Sequence, residues 1–179
     1  MATLQQLVGR WRLVESKGFD EYMKEVGVGM ALRKVGAMAK PDCIISSDGK
    51  NLTIKTESTL KTTQFSCNLG EKFEETTADG RKTQTVCTFT NGALVQHQEW
   101  DGKESTITRK LEDGKLVVFS VVRGKLRRVR KLKSQSFHYE VLIFCQLQRE
   151  TEHEQGRGRE RGRRRIGNRL PAPSHQPRA

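Results

Sequence analysis

The sequence predicts an all-β protein, an antiparallel up-and-down meander that closes into a barrel. Three observations carry that reading. Turn dipeptides recur along the chain, the segments between them alternate apolar with polar residues, and one short region of helical spacing interrupts the pattern.

Asp48-Gly49, Leu69-Gly70, Asp79-Gly80, Asn91-Gly92, Asp101-Gly102, Asp113-Gly114 and Arg123-Gly124 punctuate the sequence, the last five at intervals of 10 to 12 residues. Asn-Gly and Asp-Gly suit two-residue hairpins because both central positions of a type I′ turn need positive φ. Strands joined in this way pair with their neighbours, and a long meander removes its edges by closing on itself. Between the turns, Leu52, Ile54 and Thr56 share one face, and Asn51, Thr53 and Lys55 the other. Phe65, Cys67 and Leu69 share a face, as do Cys87 and Phe89, so both cysteines read as small core residues. Near the N-terminus Phe19, Met23 and Val26, then Met30-Ala31 with Lys34-Val35, follow helical spacing; Gly27 and Gly29 interrupt them and Pro41 closes the region. Two short helices follow, either as a packed hairpin or as a lid over one barrel mouth.

Charge divides the chain. Residues 1–118 carry 17 Lys+Arg against 16 Asp+Glu, whereas residues 119–179 carry 16 against 5. Of the net charge of +12, +11 therefore belongs to the C-terminal part and says nothing about the main domain. Met1-Ala-Thr-Leu-Gln-Gln has no basic stretch followed by an apolar run, so no secretory leader is expected. The longest apolar run, Val141-Leu-Ile-Phe-Cys145, falls far short of the roughly 18 residues of a membrane span. A cytoplasmic chain with reduced thiols is expected, and the Asn51-Leu-Thr53 sequon should stay unmodified. Cys43, Cys67, Cys87 and Cys145 lack metal spacing, as do His97, His138, His153 and His175. No nucleophile–histidine arrangement can be argued from spacing either. No enzyme activity, metal or cofactor is expected.

The functional signal is polarity on a face that should be buried. In Ser105-Thr-Ile-Thr-Arg-Lys-Leu111, Ile107, Arg109 and Leu111 share a face; in the strand before it, Leu94, Gln96, Gln98 and Trp100 do. A buried guanidinium without a partner costs several kcal/mol, and no carboxylate lies on the same inferred face of these two strands. Two readings follow. Either Arg109 points outward and the facing is slipped by one residue, or it faces a water-filled cavity and meets an anionic ligand with a long apolar body.

The motifs Gly9-Arg-Trp11-Arg-Leu13, Gly18-Phe19-Asp20-Glu-Tyr22, Lys40-Pro41-Asp42, Phe73-Glu-Glu-Thr-Thr77-Ala-Asp-Gly-Arg81 and Gln98-Glu-Trp100-Asp-Gly-Lys-Glu104 resemble the intracellular fatty-acid-binding proteins, closest to the epidermal type. The similarity runs from Met1 to Val118. It implies a ten-stranded, lipocalin/calycin-like barrel with a helix–turn–helix portal, a cavity, and long-chain fatty acids as ligands carried in the cytosol. Position by position, it implies that Phe19, Tyr22, Met23, Val28, Leu32, Pro41, Thr56, Ala78, Asp79, Arg81, Gln98, Ile107 and Arg109 contact the ligand. It also implies that Lys24, Arg33 and Lys34 form a lid patch tied to nuclear import, with transient contact to acidic membranes and nuclear receptors; ordinary solvated helix charges are the plainer alternative. A monomer is expected.

After Val118 the resemblance stops. The family continues into a tenth strand with an Arg-x-Tyr carboxylate clamp. Here, without a shift of register, Val129 and Lys131 occupy the clamp positions, and the epidermal type's paired cysteines are replaced by Ser120 and Arg127. Leu116, Val118, Ser120 and Val122 can finish a ninth strand, Arg123-Gly124 can turn, and Lys125 to Leu132 can return. The candidate inward set Arg127, Val129 and Lys131 is mostly charged and the other parity is little better, so a frayed or partly open seam is expected. Either cation of that set could partly replace the clamp, and weakened affinity is expected. The barrel is assigned to residues 1–133, a short apolar extension to 134–149, and a disordered Arg/Gly-rich tail to 150–179. The competing functional reading is a nuclear or nucleic-acid-binding protein acting through that tail, and a non-functional variant product is a further alternative.

Overall fold

The structure, a computed structural model, describes residues 1–135. Ten strands form a single antiparallel sheet: β1 (Gly9–Lys17), β2 (Asp42–Ser47), β3 (Asn51–Glu57), β4 (Thr62–Asn68), β5 (Lys72–Thr76), β6 (Lys82–Thr90), β7 (Ala93–Trp100), β8 (Lys103–Glu112), β9 (Lys115–Val122) and β10 (Lys125–Ser134). Three helices accompany them, α1 (Leu4–Leu7), α2 (Phe19–Val26) and α3 (Met30–Met38). Beyond Gln135, the expected apolar extension and basic tail lie outside the described residues.

The hairpin rhythm follows from turn chemistry. Asn91, Asp101, Asp113 and Arg123 have φ of 51°, 46°, 50° and 49°, and the glycine after each is also positive, so four successive turns have the type I′ pattern. Three begin with Asn or Asp, which tolerate left-handed backbone; Arg123 gains nothing of that kind. Arg123→Asn should therefore stabilise the barrel by about 0.5–1 kcal/mol, read by denaturant unfolding. Its ion pair with Glu25 (3.6 Å) is solvent-exposed and its loss should hardly register.

Closure occurs at the strand expected to fray. β10 pairs with β9 from Lys125 to Lys133 and with β1 from Val129 to Ser134. The free edges are instead β4 and β5, which end the strand order β4-β3-β2-β1-β10-β9-β8-β7-β6-β5. Phe65 on β4 and Phe73 on β5 bridge that gap, ring centroids 5.3 Å apart. Near the portal Lys61 Nζ donates to the Ala78 carbonyl at 2.7 Å.

The parity of β10 also departs from expectation. Leu126 pairs with Val121 but Arg128 pairs with Ser120, so Arg127 is an extra residue in a bulge. A one-residue slip exchanges the faces of everything after it. Arg128 and Leu132 are buried and Arg130 faces the interior. Arg127 reaches Glu25 on α2 at 3.4 Å, and Lys131 reaches Glu15 at 3.0 Å. The expected inward set Arg127, Val129 and Lys131 is thus replaced by Arg128, Arg130 and Leu132.

Apolar packing fills one end of the barrel. Leu7, Trp11, Ile45, Leu52, Cys87, Leu94, Leu116 and Leu132 form its core. The short helix α1 plugs that end through Leu7, whose carbonyl accepts from Trp11 Nε1 at 2.9 Å. Cys43, Cys67 and Cys87 are free and buried, and burial pushes the Cys67 and Cys87 thiols up, away from thiolate reactivity. At the other end Tyr22, Met23 and Val26 of α2 pack on Trp100 and Val122. α3 buries no residue and leaves Met30, Leu32, Val35 and Met38 exposed.

Candidate functional site

Between the packed end and the helical pair lies a cavity of about 340 Å³. The helices and the loop between them supply Phe19, Tyr22, Met23, Val28 and Leu32 to its wall. Pro41, Thr56 on β3 and the β5–β6 loop residues Ala78, Asp79 and Arg81 continue it, and Gln98, Ile107 and Arg109 reach it from β7 and β8. All thirteen residues singled out in the sequence therefore line one space. The helices form a cover over it, the second of the two arrangements left open.

Arg109 is inward, with 5% of its surface exposed. Its Nη1 donates to Gln96 Oε1 at 2.9 Å, and Gln96 Nε2 donates to Glu75 Oε2 at 2.9 Å. The same carboxylate oxygen accepts from Gln98 Nε2 and Thr85 Oγ1, each at 2.9 Å. The cavity thus holds a built-in negative charge, linked to Arg109 through one amide. Glu75 is absent from the sequence-based expectations. Its signal was parity: Phe73 and Glu75 share the inward face of β5, and Glu74 lies opposite.

A second polar group stands at the portal. Arg81 pairs with Asp79 (Nε to Oδ2, 2.6 Å) and stacks over Trp100 at 4.4 Å from the ring centroid. Burial alone would raise the Asp79 carboxyl; hydrogen bonds from Arg81 and Thr77 outweigh it and hold it below the usual range. This guanidinium is already neutralised.

Two further cations enter from β10. Arg128, 7% exposed, lies over Phe19 with its guanidinium carbon 3.6 Å from the ring centroid. Burial, then the charge of Arg130, pushes its pKa down to about 8. Arg130 is likewise depressed by burial, with Arg109's charge adding to it. The Nε donors of Arg109, Arg128 and Arg130 are all buried without a hydrogen-bond partner among the described residues. No sequence rule distinguished Arg128 and Arg130 from their neighbours on β10, because the bulge decides which of them face inward.

The lid patch is only partly free. Lys24 and Lys34 are exposed, whereas Arg33 pairs with Asp20 at 2.9 Å. Among the described residues no cluster of His, Cys, Asp and Glu could hold a metal, and no helix is long and apolar enough to cross a membrane.

Residues 8–122 match the profile of the Lipocalin / cytosolic fatty-acid binding protein family. The match ends on the last residue of β9, four residues past Val118. The chain is 93% identical over 122 residues to fatty acid-binding protein 5 of Bos taurus, covering 68% of this chain and 90% of that protein. Identity to fatty acid-binding protein 5 of Homo sapiens is 88% over the same length and shares. Among solved structures, the REP1-NXSQ fatty acid transporter superposes with a TM-score of 0.70 at 40% identity, over 73% of this chain and 96% of that one. The Schistosoma mansoni fatty acid binding protein in complex with arachidonic acid superposes with a TM-score of 0.69 at 29% identity, over 74% and 98%. The chain belongs to the lipocalin / cytosolic fatty-acid binding protein family.

Proposed function

We propose that this chain is a non-enzymatic carrier of long-chain fatty acids, which lie in the barrel with the carboxylate on Arg109 and Arg130. The observation that carries this reading is a buried arginine, Arg109, lining an internal cavity with apolar walls and touching no carboxylate directly among the described residues. The names of the relatives and of the arachidonic acid complex support the ligand class. Arg130 stands opposite Val118 on β9, and Val118 pairs on its other side with Arg109. Without the bulge, Val129 would hold that place. The shift therefore brings Arg130 to the position of the family's clamp arginine and Leu132 to that of its tyrosine. Loss of the tyrosine hydroxyl leaves the clamp incomplete, so affinity should fall about tenfold below that of the bovine relative.

Titration with a fluorescent fatty acid tests the reading, and Arg109→Ala should weaken binding about ten- to hundredfold. Thermal melting with and without oleate gives an independent check. A ligand that binds only the folded form stabilises it by about 2.7 kcal/mol at 100 times Kd. No shift in the midpoint, together with no effect of Arg109→Ala, would refute a carrier. The proposal extends to a monomer working in the cytosol and delivering ligand to the nucleus, with Lys24, Arg33 and Lys34 touching acidic membranes or nuclear receptors. The exposure of Lys24 and Lys34 beside the uncovered apolar residues of α3 supports that extension.

A further inference from the structure

The cavity carries more positive charge than one fatty acid can neutralise. Arg109, Arg128 and Arg130 line it, and the carboxylate bonded into the same network is that of Glu75. Three cations against one anion leave an excess of two, and a monocarboxylate removes only one. Two further cations line the wall but stand apart from this group: Arg81 is answered by Asp79, and Lys61 is solvent-exposed with its Nζ on the Ala78 carbonyl at 2.7 Å.

The three arginines are arranged to share a head group. Arg109 and Arg130 flank Val118 in one ladder row, about 10 Å apart at the backbone. Arg128 stands two residues along β10 from Arg130, about 7 Å away on the same face. Each guanidinium sits on a long stem directed into one space, and each has a buried Nε donor without a hydrogen-bond partner among the described residues. A carboxylate has two oxygens to offer three forks. A phosphate monoester has three terminal oxygens and close to two negative charges at neutral pH. Planar bidentate forks suit phosphate as well as they suit carboxylate.

We propose that the cavity of this chain selects amphiphiles with a phosphate monoester head over monocarboxylates of equal chain length, with Arg109, Arg128 and Arg130 sharing the phosphate. The proposal rests on the carrier reading and narrows its ligand class. Two of its three residues, Arg128 and Arg130, lie beyond the family profile, which ends at residue 122.

The test is displacement of a bound fluorescent fatty acid from the full chain by tetradecanoate, tetradecyl phosphate and methyl tetradecyl phosphate, each below its micelle concentration. The phosphate monoester should bind about ten- to hundredfold tighter than tetradecanoate, as one extra charge-assisted contact implies. The methyl diester, with one charge on the same frame, should fall back to the level of the carboxylate. Arg128→Gln should bring the ratio of monoester to carboxylate affinity close to one, and Arg128→Lys should retain part of it. The ratio is read only on variants whose melting curves show a folded barrel. Tetradecanoate binding with an equal or weaker monoester would overturn the proposal and leave the carrier intact. A monoester preference that survives Arg128→Gln would overturn the role of Arg128. If the fluorescent fatty acid itself does not bind, the carrier reading falls first and takes this one with it; a bound probe that neither amphiphile displaces overturns the head-group proposal alone.

Discussion

Arg130→Met is expected to raise the stability of the empty barrel by about 1–3 kcal/mol and, in the same protein, to weaken fatty acid binding about tenfold or more. Both effects come from one side chain. Arg130 faces the cavity with its Nε buried, its charge disfavoured by burial and by the nearby charge of Arg109. A cation in that setting costs free energy until an anion arrives. Methionine fills a comparable volume with a flexible apolar chain and removes both the desolvation and the repulsion. The stability gain appears as a higher midpoint in denaturant or heat, measured without ligand. The binding loss appears in titration with a fluorescent fatty acid. A variant that melts lower and binds as before would place the guanidinium outside the cavity. The opposite signs matter, because a residue that merely packs the seam would lose stability and affinity together.

Much of the fold was legible because its signals are local. A type I′ turn needs two residues of positive φ, and Asn91-Gly92, Asp101-Gly102 and Asp113-Gly114 announce it without reference to the rest of the chain. The inward faces of β7 and β8 followed from a period of two, which placed Gln96, Gln98 and Arg109 correctly among Leu94, Trp100 and Ile107. The helix α1 was not legible because four residues are too few for periodicity to show. β10 failed for a different reason. Neither parity of Lys125–Ser134 offers an apolar face, so burial could not choose between them, and a bulge of one residue did. Parity within β5 could have placed Glu75 inward beside Phe73, but its meeting with Arg109 through Gln96 was not legible, because the sequence does not say which residues of β5 and β7 lie level.

The backbone entering α2 approaches β10 closely at the bulge, and Gly18→Ala probes that approach. Gly18 has φ of +71° where the chain turns into α2, and a Cβ there would lie 2.1 Å from the carbonyl oxygen of Arg127, the bulged residue. The left-handed conformation costs an alanine about 1–2 kcal/mol and the forced displacement of backbone about 1–3 more, so a loss of about 2–5 kcal/mol is expected. Gly49→Ala separates the two contributions. Gly49 has φ of +101°, and a Cβ added there would meet nothing within 4 Å, so it reports the conformational part alone. Equal losses at the two sites, measured by urea unfolding, would mean that Arg127 does not press on the helix. A larger loss at Gly18 should bring a change in binding, because the carbonyl can move away only by relaxing the bulge. A relaxed bulge returns β10 to its unshifted register and turns Arg128 and Arg130 toward solvent. Folded Gly18→Ala protein should therefore bind fatty acid as weakly as Arg130→Met does, although Gly18 lies outside the wall of the cavity.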